Sequence, residues 1–309
     1  MAAPGPPPSG RQVVLTAAHQ EAVVVEVGGG LRSYHAAGAT VLDGYAEDER
    51  CSAGRGQPLV PWPNRLDGGR YSFDDVEEQA PINEPDKGNA IHGLARWLAW
   101  EVLEARTDRA VLGVTLHPQP GWAWTLDLRT TYLLGETGLD VTLQARNRSQ
   151  GRCPFGAGFH PYLAAPTGRV DDLELHVPAR TSWRVDDRGL PTEEVSVEGT
   201  EADFREPALI GSRRLDTAFT DLARDPQGMA KVEVRDPAGG QSVQVRLGAG
   251  WTHVMVFTGD TVGARARQGL AVEPMTGPAN LLRSGRDLVV LEPDDLWEGS
   301  WAITPSWLP

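Results

Sequence analysis

The chain has 309 residues and 42 acidic against 29 basic side chains, a net charge of −13, with a pI near 5.0. All the basic residues but Lys87 and Lys231 are arginines scattered along the chain, so no basic face is offered to a nucleic acid. The 2 cysteines, Cys51 and Cys153, are too few for a disulfide framework and show no metal-ligand spacing.

Met1 to Gly10 is rich in Pro, Gly and Ala and lacks the basic start and apolar run of a signal peptide, and no stretch reaches the ~18 apolar residues of a membrane span. The expectation is a soluble cytoplasmic protein with free thiols, a disordered tail over 1–10 and one domain over 11–309. Gln12 to Ala17, Ala22 to Val27 and Leu31 to Ala37 carry β-branched runs broken by Gly28-Gly29-Gly30, a β-meander. Pro58 to Asp67 holds Pro58, Pro61 and Pro63 and reads as an ordered loop of the kind that carries function. Arg70 to Phe73 and Val76 to Ile82 flank Asp74-Asp75 as a hairpin. Leu98 to Ala105, Ala110 to Leu116, Thr125 to Leu134 and Leu139 to Arg146 continue the alternation, with Gly or Asp at the breaks. Beyond residue 160, strands are expected at Leu173 to Val177, Thr181 to Val185, Met229 to Arg235, Ser242 to Leu247, His253 to Phe257, Leu270 to Val272, Leu288 to Leu291 and Trp297 to Ile303. Glu201 to Ala208 and Pro278 to Arg283 allow single helical turns at most. The class is therefore all-β, a large antiparallel β-sandwich of two packed sheets, with no internal repeat.

Five spots hold polar residues that strand propensity does not explain. In Gly158-Phe159-His160-Pro161-Tyr162, the proline biases His160 toward a strand end, where an imidazole of pKa near ~6.5 suits proton transfer. Glu273 follows the apolar Leu270-Ala271-Val272 and precedes Pro274, so it is expected at the end of a buried strand, desolvated and more basic than a free carboxylate. Asn64-Arg65 follows Pro63, where a guanidinium fork suits clamping hydroxyls. His92 sits in an apolar stretch before Gly93, and Asp216 in Arg214-Leu215-Asp216-Thr217 is a hydroxyl acceptor. Each has an ordinary role beside the functional one. Arg65 reads as a surface ion pair, His92 as a satisfied buried histidine, Asp216 as a turn or cap residue, Glu273 as a strand-end salt bridge and His160 as a structural hydrogen-bond partner.

Taken in order, Pro63-Asn64-Arg65, Gly68-Gly69-Arg70-Tyr71, Ile91-His92-Gly93, Gly158-Phe159-His160-Pro161-Tyr162, Leu215-Asp216 and Val272-Glu273-Pro274-Met275-Thr276 resemble the motif series of the aldose 1-epimerase (galactose mutarotase) family from about Val13 to the C-terminus. The resemblance implies the family's β-supersandwich with a sugar cleft on one open face. It also implies that His160 is the general acid on the ring oxygen and Glu273 the base on the anomeric hydroxyl, with Arg65, His92 and Asp216 binding the monosaccharide and Asn64 in support. Phe159 departs from the asparagine that many members carry before the central histidine, which resembles a bacterial subgroup. Such chemistry needs one acid and one base on the two oxygens of a hemiacetal, and no metal, nucleotide or other cofactor. Among the tryptophans, Trp62, Trp97 and Trp251 lie close to the motifs, where an aromatic face can stack on a sugar, although most of these rings are expected in the core. Three alternatives stand beside this reading. One is a hexose-6-phosphate epimerase, with Arg65 and Arg96 near the dianion; the second is a sugar-binding or sensing domain without catalysis. The third is a glycosidase using Asp216 with Glu273, which leaves His160 idle.

Overall fold

A computed structural model describes residues 5–308. The molecule is built from antiparallel strands. One nine-stranded sheet runs Glu101–Ala105, Arg109–Leu116, Leu126–Gly135, Gly138–Asn147, Leu296–Pro305, Ser242–Leu247, Ala230–Arg235, Glu174–His176 and Ala208–Leu209 in spatial order. An eight-stranded sheet runs Pro191–Ser196, Ala179–Val185, Asp216–Leu222, His253–Phe257, Gly269–Met275, Gly158–Phe159 and Pro58–Leu59, with Tyr162–Ala164 also paired to Gly269–Met275. The amino-terminal meander Gln12–Ala17, Gln20–Val25, Leu31–Ala36 and Ala39–Thr40 forms a separate sheet.

Strict alternation explains the layering. Leu126, Leu128, Thr130, Tyr132 and Leu134 point inward from one long strand, and Leu139, Val141, Leu143 and Ala145 from the next. All of these but Thr130 meet Val254, Val256, Leu270 and Val272 of the other sheet in one buried apolar cluster. Phe159 joins the layers directly, its ring 5.1 Å from that of Trp301 and 5.8 Å from that of Trp251. Trp62, Trp251 and eight-stranded-sheet residues near them are buried, whereas Trp97 is exposed.

Several expectations shift at the edges of elements. The Pro58–Asp67 loop contains two short strands, Pro58–Leu59 and Arg65–Asp67, the second paired with Asn89–Ile91. Strands Pro191–Ser196 and Asp216–Leu222 lie where none is expected, because their polar faces point to solvent and the alternation is weak. The only α-helix among the described residues is the single turn Leu281–Ser284, and 201–208 holds none. Residues 1–4 of the expected tail lie outside the described residues; nearer the sheet, Gly10 N–H donates to Pro7 O at 2.9 Å and Val27 N–H to Ser9 O at 2.9 Å. No helix is long and apolar enough to cross a membrane among the described residues.

Gly93 shows how tightly the segments beside these strands pack. Its φ is +66°, and a Cβ there would stand 2.0 Å from Val60 O, a backbone atom that has no freedom to retreat. Gly93→Ala is expected to destabilise the protein by at least about 2 kcal/mol, read from urea unfolding midpoints, since it combines left-handed strain with a backbone clash. An unchanged midpoint would contradict this packing.

Candidate active site

The site begins with a gap in a β-ladder. Strand Gly269–Met275 pairs Met275 with Gly158 and Ala271 with Tyr162. Between those points the neighbouring chain lets go, and the register carried across the gap sets Phe159 opposite Pro274, His160 opposite Glu273 and Pro161 opposite Val272. Each flanking pair contains a proline, which has no N–H to give a ladder, although Val272 N–H still donates to Pro161 O at 3.1 Å. Side chains opposite one another in antiparallel strands are neighbours. The His160 Nε2 and Glu273 Oε1 atoms are accordingly 3.3 Å apart, with side chains 6% and 2% exposed. Glu273 is not at a strand end, as its sequence context suggests. The strand runs on through Met275, because the missing Pro274 donor faces the interrupted neighbour.

Alternation decides which way Glu273 points. Leu270 and Val272 enter the main core, while Met275 joins a small cluster on the other face with Trp183, Ala218 and Met255. Glu273 lies on that second face and lines an open cleft of about 810 Å³.

The same cleft is lined by Asn64, Arg65, His92 and Asp216, so all six residues singled out in the sequence meet in one place. Asn64 and His92 hold left-handed backbone conformations, φ +54° and +65°. Such strain persists where surrounding contacts fix it: His92 N–H donates to Asn64 O at 2.9 Å, and Asn64 N–H to His92 Nδ1 at 3.3 Å. With Nδ1 accepting, the His92 Nε2 is the protonated nitrogen of the neutral ring. Asn64 Oδ1 turns back to accept from Arg65 N–H at 2.8 Å. Arg65 Nε reaches both Glu84 oxygens, at 3.1 and 3.0 Å, and Nη1 lies 3.4 Å from Asp216 Oδ2. The Asp216 side chain remains 42% exposed, leaving it open toward the cleft.

Burial dominates the electrostatics. It pushes the His160 pKa down to about 3, with the positive Arg96 and Arg55 acting in the same sense. Burial, and then the nearby negative Asp216, raises the Glu273 pKa well above the usual carboxylate range. Burial thus biases both groups toward their uncharged forms, a carboxylic acid facing a neutral imidazole. Burial also lowers the His92 pKa well below its ordinary value. Arg65 goes the other way: burial opposes its charge, but Asp216 and Glu84 outweigh it and hold the pKa above normal. His160 Nδ1 and Glu273 Oε2 are buried without a hydrogen-bond partner in the protein. Such atoms cost roughly 1–3 kcal/mol each and are ready acceptors or donors for a ligand hydroxyl.

Three residues of the site have no signal in sequence reading: Glu84, which fixes Arg65; Arg55, which packs on Tyr162; and Gly54, which lies against His160. Tyr162 stands in the central motif, and its ring stacks on His160 at 4.9 Å with planes 7° apart. Glu84 sits in a Pro-flanked turn that resembles any solvent loop. The His92 ring meets His160 edge-on at 5.2 Å. Cys51 and Cys153 are both free and buried. No three His, Cys, Asp or Glu side chains among the described residues cluster as a metal ligand set.

With this cleft on the outer face of one sheet of a two-layered β-sandwich, the chain belongs to the aldose 1-epimerase family, whose model matches residues 11–304. It is 33% identical over 285 residues, 92% of this chain and 90% of the other, to the uncharacterized protein YihR of Escherichia coli K12. Among solved structures it resembles the GalM/aldose epimerase homologue of C. elegans, with a TM-score of 0.86 at 17% identity over 97% of this chain and 99% of that one. It also resembles the galactose 1-epimerase of Lactobacillus acidophilus, with a TM-score of 0.78 at 20% identity over 96% and 94%. The fold is thus the galactose mutarotase-like one.

The raised Glu273 pKa has a consequence for stability. The unfolded chain releases this proton near ~4.3, the native protein only at higher pH. The stabilisation is complete below ~4.3 and is lost as pH rises through the native value. Glutamine has no proton to lose. The melting temperature of Glu273→Gln relative to the parent is therefore expected to climb between about pH 4.5 and 8 in thermal unfolding scans. A difference that stays flat or falls over that range would contradict the buried acid.

Proposed function

We propose that the protein is an aldose 1-epimerase that interconverts the α and β anomers of a free hexose by acid–base opening and reclosure of the ring. The observation that carries this reading is the His160–Glu273 pair, 3.3 Å apart and buried at the base of a polar cleft. An imidazole and a carboxyl at that spacing share one proton and reach two atoms joined through the anomeric carbon, the ring oxygen and the anomeric oxygen.

The steps follow from the pair's chemistry. A sugar hydroxyl donating to Glu273 favours the carboxylate, so the proton held there in the empty cleft crosses to His160 Nε2. His160 then protonates the ring oxygen while Glu273 removes the anomeric proton, and the C1 to ring-oxygen bond breaks to give the open aldehyde. Rotation about the C1–C2 bond presents the other carbonyl face. Reclosure runs with roles reversed: His160 recovers the proton from the attacking hydroxyl and Glu273 returns one to the carbonyl oxygen. Every proton is restored, and no cofactor takes part in this scheme.

Arg65, His92 and Asp216 hold the remaining hydroxyls. Arg65 is clamped by Glu84 and Asp216, so little freedom is lost when its remaining donors meet a sugar. Asn64 fixes the backbone turn that aims Arg65.

Polarimetry of freshly dissolved α-D-glucose and α-D-galactose tests the proposal. The protein is expected to speed the approach to equilibrium, and His160→Ala and Glu273→Gln each to lower kcat by about 10²–10⁴-fold, the range for a lost acid or base. Sugar binding without faster mutarotation would instead indicate a sensor, and release of reducing ends from a disaccharide a glycosidase.

A second reading, epimerisation of a hexose 6-phosphate, is favoured by one observation. Arg96 lines the cleft beside His160, and among the described residues it has no carboxylate within ion-pair distance, unlike Arg55 and Arg65. On this reading Arg96→Ala lowers kcat/KM for glucose 6-phosphate at least tenfold more than for glucose, about 1.4 kcal/mol of selective binding. Equal effects on both sugars would leave the free hexose as substrate.

A further inference from the structure

His160 is gripped by a segment that the proton-transfer scheme does not use. Gly56 N–H donates to His160 O at 2.8 Å and His160 N–H to Gln57 O at 3.1 Å. A Cβ at Gly54 would stand 3.0 Å from His160 Cδ2, so this strand of chain lies directly against the imidazole. Between them, Arg55 is 2% exposed, with its guanidinium carbon 4.4 Å from the centre of the Tyr162 ring on which His160 stacks. Asp43 Oδ2 holds Arg55 Nη2 at 3.2 Å and is the one carboxylate within ion-pair distance of it among the described residues. Asp43 is itself held from the other side by Arg265, whose Nη1 also donates to Gly44 O at 2.7 Å.

An arginine buried this deeply, beside a histidine that must take up a proton, is an unfavourable neighbour unless its charge is compensated. We propose that Asp43 and Arg55 are positioning residues for the epimerisation: the Asp43 carboxylate seats the Arg55 guanidinium against Tyr162, and that ring orients the His160 imidazole toward Glu273. The inference rests on the function proposed above. Asp43 compensates the guanidinium charge, so that His160 can be protonated at all, and Arg55 fixes the plane of the ring it stacks near.

The other groups facing His160 set the background. Glu273 faces it from the adjacent strand, His92 meets it edge-on, and Arg96 adds a second positive charge. Tyr162 and Cys51, which lie beside Arg55, stay uncharged at neutral pH, since burial pushes the Tyr162 hydroxyl up and the Cys51 thiol up to about 11. Beside Arg96 and Asp216, which also act on the pair, Asp43 and Arg55 are two charges whose removal acts on it in opposite senses. Asp43→Asn leaves a bare guanidinium, which makes the pair give up its shared proton at lower pH. Arg55→Met removes that positive charge, which makes the pair keep its proton to higher pH.

The test uses the full-length protein in two measurements. One is the pH profile of glucose mutarotation, and the other is an NMR titration of the His160 imidazole and Glu273 carboxyl without sugar. The alkaline limb and the sugar-free titration are expected to move down by about half to one pH unit in Asp43→Asn and up by a similar amount in Arg55→Met. Arg55→Lys, which keeps the charge and loses the planar fork, is expected to titrate like the parent while kcat falls severalfold at unchanged KM, and it carries the test if Asp43→Asn fails to fold. Titrations that coincide with the parent's, shifts of one sign in both variants, or an Arg55→Lys that moves as far as Arg55→Met would overturn the proposal. A parent protein that does not speed mutarotation would refute the proposed function instead, and the sugar-free titration would still decide the positioning role.

Discussion

The site depends on a β-ladder that opens for three residues and then closes in the same register. Pairing on both sides of the gap holds Gly158 against Met275 and Tyr162 against Ala271. The chain between has no freedom to drift, and His160 faces Glu273 as the register requires. Prolines at 161 and 274 keep the backbones from completing the ladder between these strands. A residue pair far apart in sequence is in this way placed with the precision of a cross-strand contact, on rigid elements and without a catalytic loop.

Burial then sets the chemistry. The pair sits under a polar cleft but with almost no exposure of its own, so each group is pushed toward its neutral form. The energy of that arrangement is unfavourable to the fold at neutral pH, and it is what the proposed proton transfer would draw on. The charged groups of the cleft are treated differently. Arg65 keeps its charge because Glu84 and Asp216 surround it, and Asp216 stays partly exposed. The cleft thus has an end biased toward neutral groups and a charged end, and Asp216 reaches from one to the other through its effect on Glu273.

The sequence makes most of this legible, and for reasons that can be traced to particular residues. Long inward-facing alternations such as Leu126 to Leu134 announce the antiparallel layers, and the prolines around His160 and Glu273 mark places where a ladder must break. What stays hidden is of two kinds. Strands with half-solvated, charged faces, Pro191–Ser196 and Asp216–Leu222, carry too little apolar period to be seen. Supporting side chains such as Glu84, Arg55 and Asp43 act only through tertiary proximity, and nothing in their neighbours along the chain distinguishes them from surface charges. Pro274 shows a local rule overridden by its surroundings: it does not end its strand, because its neighbour has already withdrawn.

The account stands on one proton held between two buried groups, with the carboxyl as its resting place. The ¹³C chemical shift of the Glu273 side-chain carbon at neutral pH, assigned by its loss in Glu273→Gln, reports that directly. The account predicts the shift of a protonated carboxylic acid in the sugar-free protein. The shift of an ionised carboxylate beside a charged imidazolium would contradict it.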